Sequence, residues 1–338
     1  MTIYPEAGKI RDIITAANKI VVVQADNPDT DSLASALALE EILSDLGKEV
    51  YLYCGVYLPS YLKYLPGSDR VESELPSHFD ASFIVDTSSD SLLEQLSKSN
   101  QKGWLAAKPV IILDHHQTQP TINFAAVICN HKAVATGEII YELSVQLGWQ
   151  LNDTAKKMIA ISILSDSLGL MSGSTSPRTI HIIAELVEAG VSLPDIDNAR
   201  RETMKRPAEL IFYKGQLLQR VEFFHDNQIA VLTIPWEELE KYSAHYNPSM
   251  LVIDDMRMAI GTKIAICFKV YKDRKITAKI RSNYGVEISA ELAEHFGGGG
   301  HGYAAGFKIQ DGRDYESIKL ETIQVAARLL ADNTGMQL

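Results

Sequence analysis

Short apolar runs that end in polar residues alternate, through the first half of the chain, with longer stretches whose apolar positions recur at helical spacing. The runs Lys19–Gln24, Val50–Cys54, Ala81–Asp86 and Val110–Asp114 predict buried strands. The stretches Asp31–Leu46, Thr136–Leu147, Asp153–Leu164 and Pro177–Ala189 predict helices, with Asp153 and Ser176 placed as N-caps. Strands alternating with helices make a parallel sheet with helices on both faces, and ligands of such sheets sit at the carboxyl ends of the strands.

From Leu193 to about Val221 the pattern becomes a charged helical stretch, read as a connector with a solvated face. Beyond it the order changes. Ile229–Ile234, Lys263–Val270 and Lys275–Arg281 predict strands, the last two joined by the polar turn Tyr271-Lys272-Asp273-Arg274, and an amphipathic helix follows at Tyr315–Leu330. The expected organisation is α/β: a parallel-sheet domain over residues 1–192, a helical connector over 193–221 and a smaller mixed-sheet α/β domain over 222–338. The length of 338 residues suits two domains, each with its own core.

Composition narrows the class. Hydrophobic residues at 46% and charged residues at 22% describe a soluble globular chain. The N-terminus carries no basic segment followed by an apolar run, so no signal peptide is expected. The most apolar stretch, Met158–Met171, is interrupted by Ser162, Ser165, Asp166 and Ser167 and is too short to span a bilayer. A cytoplasmic protein without a membrane partner is expected. Cys54, Cys129 and Cys267 are widely spaced and imply neither a disulfide framework nor a zinc site. A net charge of −11 excludes a protein that tracks long duplex nucleic acid on a basic surface. It leaves room for a compact anionic substrate held by metal ions and a few placed cations.

The chemistry concentrates in four segments: Asn27–Ser32, Ile84–Ser89, Leu113–Thr118 and Leu164–Gly169. Three lie at predicted strand ends, so Asp29, Asp31, Asp86, Asp114, His115 and His116 converge on one crevice, joined by Asp166 from an apolar helix. Any one of these aspartates alone reads equally well as a helix cap or a turn residue. Gathered together, ionised carboxylates repel one another and lose hydration unless cations neutralise them. Oxygen ligands with one or two imidazoles suit Mn²⁺ first and Mg²⁺ second, and two ions sharing a bridging carboxylate clamp a phosphoryl group.

Asp114-His115-His116, together with Asn27–Leu39, resembles the DHH phosphoesterases, a superfamily that includes family II inorganic pyrophosphatases and phosphodiesterases of short oligonucleotides. The resemblance covers nearly the whole chain. It implies that Asp29 and Asp31 each hold one metal, that Asp86 bridges both and that His115 and Asp166 complete the second site. It further implies that Asp114 orients an imidazole and that His116 contacts phosphate. One departure stands out: the family's metal-binding His, three positions before the motif Pro28, is Ala25 here. Three readings are open: Asp26 substitutes for it, the first site is weaker, or the protein is catalytically poor.

Near the C-terminus, Glu294–Phe307 contains four consecutive glycines followed by His301. Backbone N–H groups of Gly298, Gly299 and Gly300 are free of Cβ obstruction and can cradle a phosphate, with His301 donating to it. The element resembles the DHH-associated C-terminal domain, which implies a substrate-binding role for it and for Arg281. Family II pyrophosphatases lack this element. The implied function is therefore hydrolysis of short oligonucleotides, linear dinucleotides or 3′-phosphoadenosine 5′-phosphate with two divalent ions. Cyclic dinucleotide hydrolysis and a non-catalytic metal- and nucleotide-binding module are the competing readings, and a homodimer is left open.

Overall fold

The computed structural model describes residues 2–243 and 246–335. The chain divides into two compact units, Met1–Lys205 and Arg206–Leu338.

The first unit runs α1 (Ala7–Ala16), β1 (Lys19–Val23), α2 (Thr30–Asp45), β2 (Glu49–Tyr53), β3 (Val71–Glu72), β4 (Ala81–Val85), α3 (Glu94–Lys98), α4 (Lys102–Ala106), β5 (Val110–Asp114), β6 (Val127–Asn130), α5 (Thr136–Leu147), α6 (Asp153–Asp166), α7 (Pro177–Glu188) and α8 (Leu193–Met204). All strands pair in parallel, in the order β3-β2-β1-β4-β5-β6. Alternation along β1 splits its side chains between two cores: Ile20 and Val22 pack with α1, α2, α5 and α6, while Val21 and Val23 pack with Leu96 of α3 and Leu105 of α4. The chain direction through the sheet reverses between β1 and β4, the position where open α/β sheets leave a crevice at their carboxyl ends.

α2 is buried on nearly all sides from Asp31 to Leu39, which explains its apolar composition around the whole circumference. Asp29 caps it, its Oδ1 accepting from Ser32 N–H at 3.0 Å. The cap of α6 is Asn152, whose Oδ1 accepts from Ala155 N–H at 2.9 Å; Asp153, expected there from the sequence, is the first helical residue. Ser176 caps α7 with a reciprocal Thr179 bond, as expected.

The stretch 193–221 is two helices, α8 in the first unit and α9 (Ala208–Gln219) in the second, separated at residues 205–207. Pro207 disfavours helical backbone at Arg206 and so ends the run. The second unit continues with β7 (Glu222–Phe224), β8 (Ile229–Ile234), α10 (Trp236–Tyr242), α11 (Pro248–Arg257), β9 (Ile264–Val270), β10 (Ile276–Ser282), α12 (Ser289–His295), β11 (Gly299–His301), β12 (Ala304–Ile309) and α13 (Tyr315–Gly335). Its sheet has the order β11-β12-β10-β9-β8-β7 and is mixed, with β8 and β9 parallel and the other pairs antiparallel. α12 and α13 cover one face, and α9, α10 and α11 cover part of the other. Among the described residues no helix is long and apolar enough to cross a membrane, and Cys54, Cys129 and Cys267 are buried free thiols.

Candidate active site

Each acidic group of the first unit arrives at the sheet's carboxyl edge from its own element. Asp29 and Asp31 follow β1 at the start of α2, Asp86 follows β4, Asp114 ends β5 with His115 and His116 behind it, and Asp166 is the last residue of α6. Asp31, Asp86 and Asp166 meet around one imidazole nitrogen, whereas Asp29 and Asp114 stand outside that group. His115 Nε2 lies 3.5 Å from Asp31 Oδ2, 3.3 Å from Asp86 Oδ1 and 3.5 Å from Asp166 Oδ2. The other ring nitrogen, Nδ1, is 3.4 Å from the Ala133 carbonyl, which can only accept. That contact assigns the proton to Nδ1 and turns the Nε2 lone pair toward three carboxylates. Nε2 is buried and has no hydrogen-bond partner.

Hydrogen bonds hold the Asp31 and Asp86 carboxylates in place. Asp31 is fully buried and accepts from Thr136 N–H at 2.8 Å, from Ser35 Oγ at 2.9 Å and from Ser162 Oγ. Thr136 Oγ1 also donates to Asp86 Oδ1 at 3.2 Å. Asp86 has φ 61°, a left-handed backbone that aspartate tolerates better than most residues. Burial, then the charges of Asp31 and Asp29, push the Asp86 carboxyl well above its usual range. The same causes raise Asp166 to about 7. Burial, partly offset by the Ser32 N–H bond, raises Asp29.

Asp114 behaves differently. Burial opposes its charge, but hydrogen bonds from His116 and Ser88 outweigh burial and hold the carboxyl below its ordinary value. Its Oδ1 is 2.8 Å from His116 Nδ1, and this bond raises the imidazole pKa. Asn130 Nδ2 donates to Asp114 Oδ2 at 3.3 Å. The triplet therefore points one imidazole into the carboxylate cluster and fixes the second by its aspartate. A cavity of about 390 Å³ opens beside both rings, lined also by Asp166, Lys132, Ser174 and Ser176. Nothing in the sequence marks Lys132, Thr136, Ser162 or Asn130 as part of this site, because single polar residues carry no spacing signal.

In the second unit the glycine run is no open loop. Gly299–His301 form the edge strand β11, and two of the glycines are required by close packing: a Cβ on Gly300, at φ 144°, would stand 2.6 Å from Ala304 O, and one on Gly298 would collide with Gly306 O, whereas one on Gly299 would meet nothing. Register places the two expected binding residues on one face, because His301 pairs with Ala304 and Ala304 pairs with Arg281. Lys279, Lys269 and Lys308 fall on the same face through the pairs Lys279↔Cys267, Thr277↔Lys269 and Thr277↔Lys308. Strands β9 to β12 contribute no carboxylate to it.

Residues 19–167 match the DHH family, N-terminal domain, and residues 226–328 match the DHHA1 domain, together about three quarters of the chain. The chain carries a DHH domain followed by a DHHA1 domain. It is 28% identical over 288 residues to the bifunctional oligoribonuclease and PAP phosphatase NrnA of Thermus thermophilus, covering 84% of this chain and 82% of that protein. The protein of the same name from Bacillus subtilis is 26% identical over 318 residues, covering 92% of this chain and 96% of its own. The fold matches an exopolyphosphatase-related protein from Bacteroides fragilis with a TM-score of 0.77, at 20% identity and 98% coverage of both chains.

Within the matched DHH domain the departure at Ala25 acquires a geometry. Ala25 is buried, and Asp26 is already engaged elsewhere. Its Oδ2 accepts from Gln95 N–H at 2.8 Å, at the start of α3, and its Oδ1 lies against Gly55. Asp26 belongs to none of the clusters of candidate metal-binding groups among the described residues. Asp26→Ala is accordingly expected to cost about 1 kcal/mol of stability, as the loss of a helix-start acceptor does, with Mn²⁺ affinity unchanged. Ala25→His should tighten Mn²⁺ binding. Calorimetric Mn²⁺ titration of both variants checks this, and weakened binding in Asp26→Ala would restore Asp26 as a ligand.

Proposed function

We propose that this DHH-family hydrolase cleaves phosphodiester bonds of short oligonucleotides and dinucleotides, and the phosphomonoester of 3′-phosphoadenosine 5′-phosphate, with two divalent ions, Mn²⁺ before Mg²⁺. The observation that carries the metal reading is His115 Nε2, an unpartnered buried lone pair facing three carboxylate oxygens. A cation is the group that satisfies all four donors at once. A mixed oxygen and imidazole set favours Mn²⁺. Asp31, Asp86, His115 and Asp166 would hold one ion; Asp29 and Asp86 would hold the other, with a thinner ligand set because of Ala25. When bound, the ions would supply Lewis acidity to the phosphoryl group.

The chain's own residues do the rest. Thr136, Ser35 and Ser162 fix Asp31, so the donors need no reordering when a substrate arrives. Asp114 commits His116 Nδ1, which leaves the half-exposed ring's Nε2 to donate to a phosphoryl oxygen. Lys132, Arg281 and His301 offer positive charge or N–H donors to phosphates. The names of the two curated relatives and the acidic net charge support a short substrate over a long one.

The test is product formation by metal-stripped protein, before and after adding Mn²⁺ or Mg²⁺, on a dinucleotide, long RNA, a cyclic dinucleotide, 3′-phosphoadenosine 5′-phosphate and pyrophosphate. The dinucleotide is expected to react fastest, and only with metal. Metal and nucleotide binding without product would leave a binding module instead, and fastest turnover of the cyclic compound would move the substrate class.

A further inference from the structure

The first unit holds a second cavity, of about 650 Å³, whose wall is shared with the metal-ligand segments: it is lined by Thr30, which stands between Asp29 and Asp31, and by Ser165, which precedes Asp166. Tyr61, Tyr64, Leu168 and Arg200 also line it. None of these residues has a part in the cluster described above.

Their character is that of a site for a flat, neutral ring. Tyr61 is 49% exposed, and its hydroxyl lies 3.5 Å from the carbonyl of Pro28 in the motif loop, so its ring stands beside that loop. Tyr64 packs its inner side on the core and lines the cavity as a second aromatic wall. Arg200 donates to Asp197 at 2.8 Å, which holds its planar guanidinium in place as a further stacking surface, while Asp197 also accepts from Arg201.

The rim is built at a cost. Leu168, Gly169 and Leu170 have φ of 53°, 70° and 72°, three successive left-handed residues, two of them leucines. Such backbone costs on the order of 1–2 kcal/mol for each non-glycine residue and persists where the site needs it. Here it holds Leu168, 73% exposed, at the cavity mouth, where its apolar surface contributes nothing to the core.

We propose that this cavity seats a nucleobase of the substrate, between Tyr61, Tyr64 and Leu168, with the hydroxyls of Thr30 and Ser165 at the ring's edge, while the attached phosphate lies at the carboxylate cluster. Aromatic walls accept any base face, so the pocket favours nucleotides over bare phosphates without selecting a sequence. The assignment rests on the nucleotide reading given under Proposed function. Pyrophosphate or ribose 5-phosphate leaves the pocket empty.

Calorimetric binding of adenosine 5′-monophosphate and of ribose 5-phosphate to the full chain in Mn²⁺ tests it, since neither ligand contains a bond between nucleotides. Wild type is expected to bind the nucleotide about five- to a hundredfold more tightly, the range of one stacked base. In the double variant Tyr61→Ala with Leu168→Ala that preference should shrink to within about threefold. Leu168→Gly, which suits the left-handed backbone and keeps the fold, should lower it by a smaller factor. A wild-type preference near one, an unchanged preference in both variants, or no binding of the nucleotide at all overturns the pocket. Dinucleotide hydrolysis with a flat preference removes the pocket and leaves the proposed function; the expected preference without hydrolysis does the reverse.

Discussion

Asp86→Asn is expected to lower turnover of a dinucleotide by about a thousandfold or more and to abolish Mn²⁺ uptake at the carboxylate cluster. Asp86 Oδ1 lies 3.3 Å from His115 Nε2 and 3.9 Å from His116 Nδ1, and the proposed bridging role makes both ions depend on it. Asparagine is the informative replacement, because it keeps the side-chain volume and tolerates the φ of 61°, where alanine would add backbone strain. Burial and the neighbouring aspartates already disfavour the Asp86 charge, so a neutral amide should leave the metal-free chain at least as stable as wild type. Melting curves then separate the two roles. Wild type should gain about 5 °C or more on saturation with Mn²⁺, and the variant should gain nothing. Activity within about tenfold of wild type would remove Asp86 from the metal site.

Most of this centre is legible in the sequence, because strand and ligand are written side by side. β1, β4 and β5 are short, mostly apolar runs, and Asp86 and Asp114 mark where β4 and β5 leave the sheet. What holds those residues in place is not legible. Thr136 and Ser162 are small polar residues in α5 and α6, and only the packing of both helices against α2 shows that they converge on Asp31. β3 has two residues, and β11 and β7 three each, too short for any periodicity; pairing with a longer neighbour defines them. A glycine run has the composition of a linker whether it is mobile or paired, and the close approach of Gly298 and Gly300 to β12 decides the matter. Asp26 illustrates the opposite case. Its closeness to the motif suggests a ligand, yet the turn after β1 directs it to the start of α3. The cap of α6 falls one residue early because Asn152 and Asp153 are both good caps, and local sequence does not choose between adjacent ones.

The second large effect lies on the C-terminal sheet. Arg281→Ala or His301→Ala should lower kcat/KM on a dinucleotide by about ten- to a hundredfold, the worth of one charge-assisted hydrogen bond of roughly 1.5–3 kcal/mol. Mn²⁺ affinity should not change, because neither residue is among the candidate metal donors of the first unit. Lys279, which shares their face and is pushed below the usual lysine range by burial and then by Arg281, should contribute in the same direction. Its removal is expected to weaken binding of every sequence alike, as loss of a phosphate contact does. Longer strands add anionic charge against a chain of net charge −11 without adding ligands to the metals, so rate should fall with length.

Hydrolysis of short oligonucleotides is tested most directly by kcat/KM in Mn²⁺ against RNA length, from the dinucleotide to a long single strand, for wild type, Arg281→Ala and His301→Ala. The expected profile is highest at the shortest lengths and declines steeply, with both variants depressed there. Equal rates on a dinucleotide and a long strand, with both variants unaffected, would contradict it.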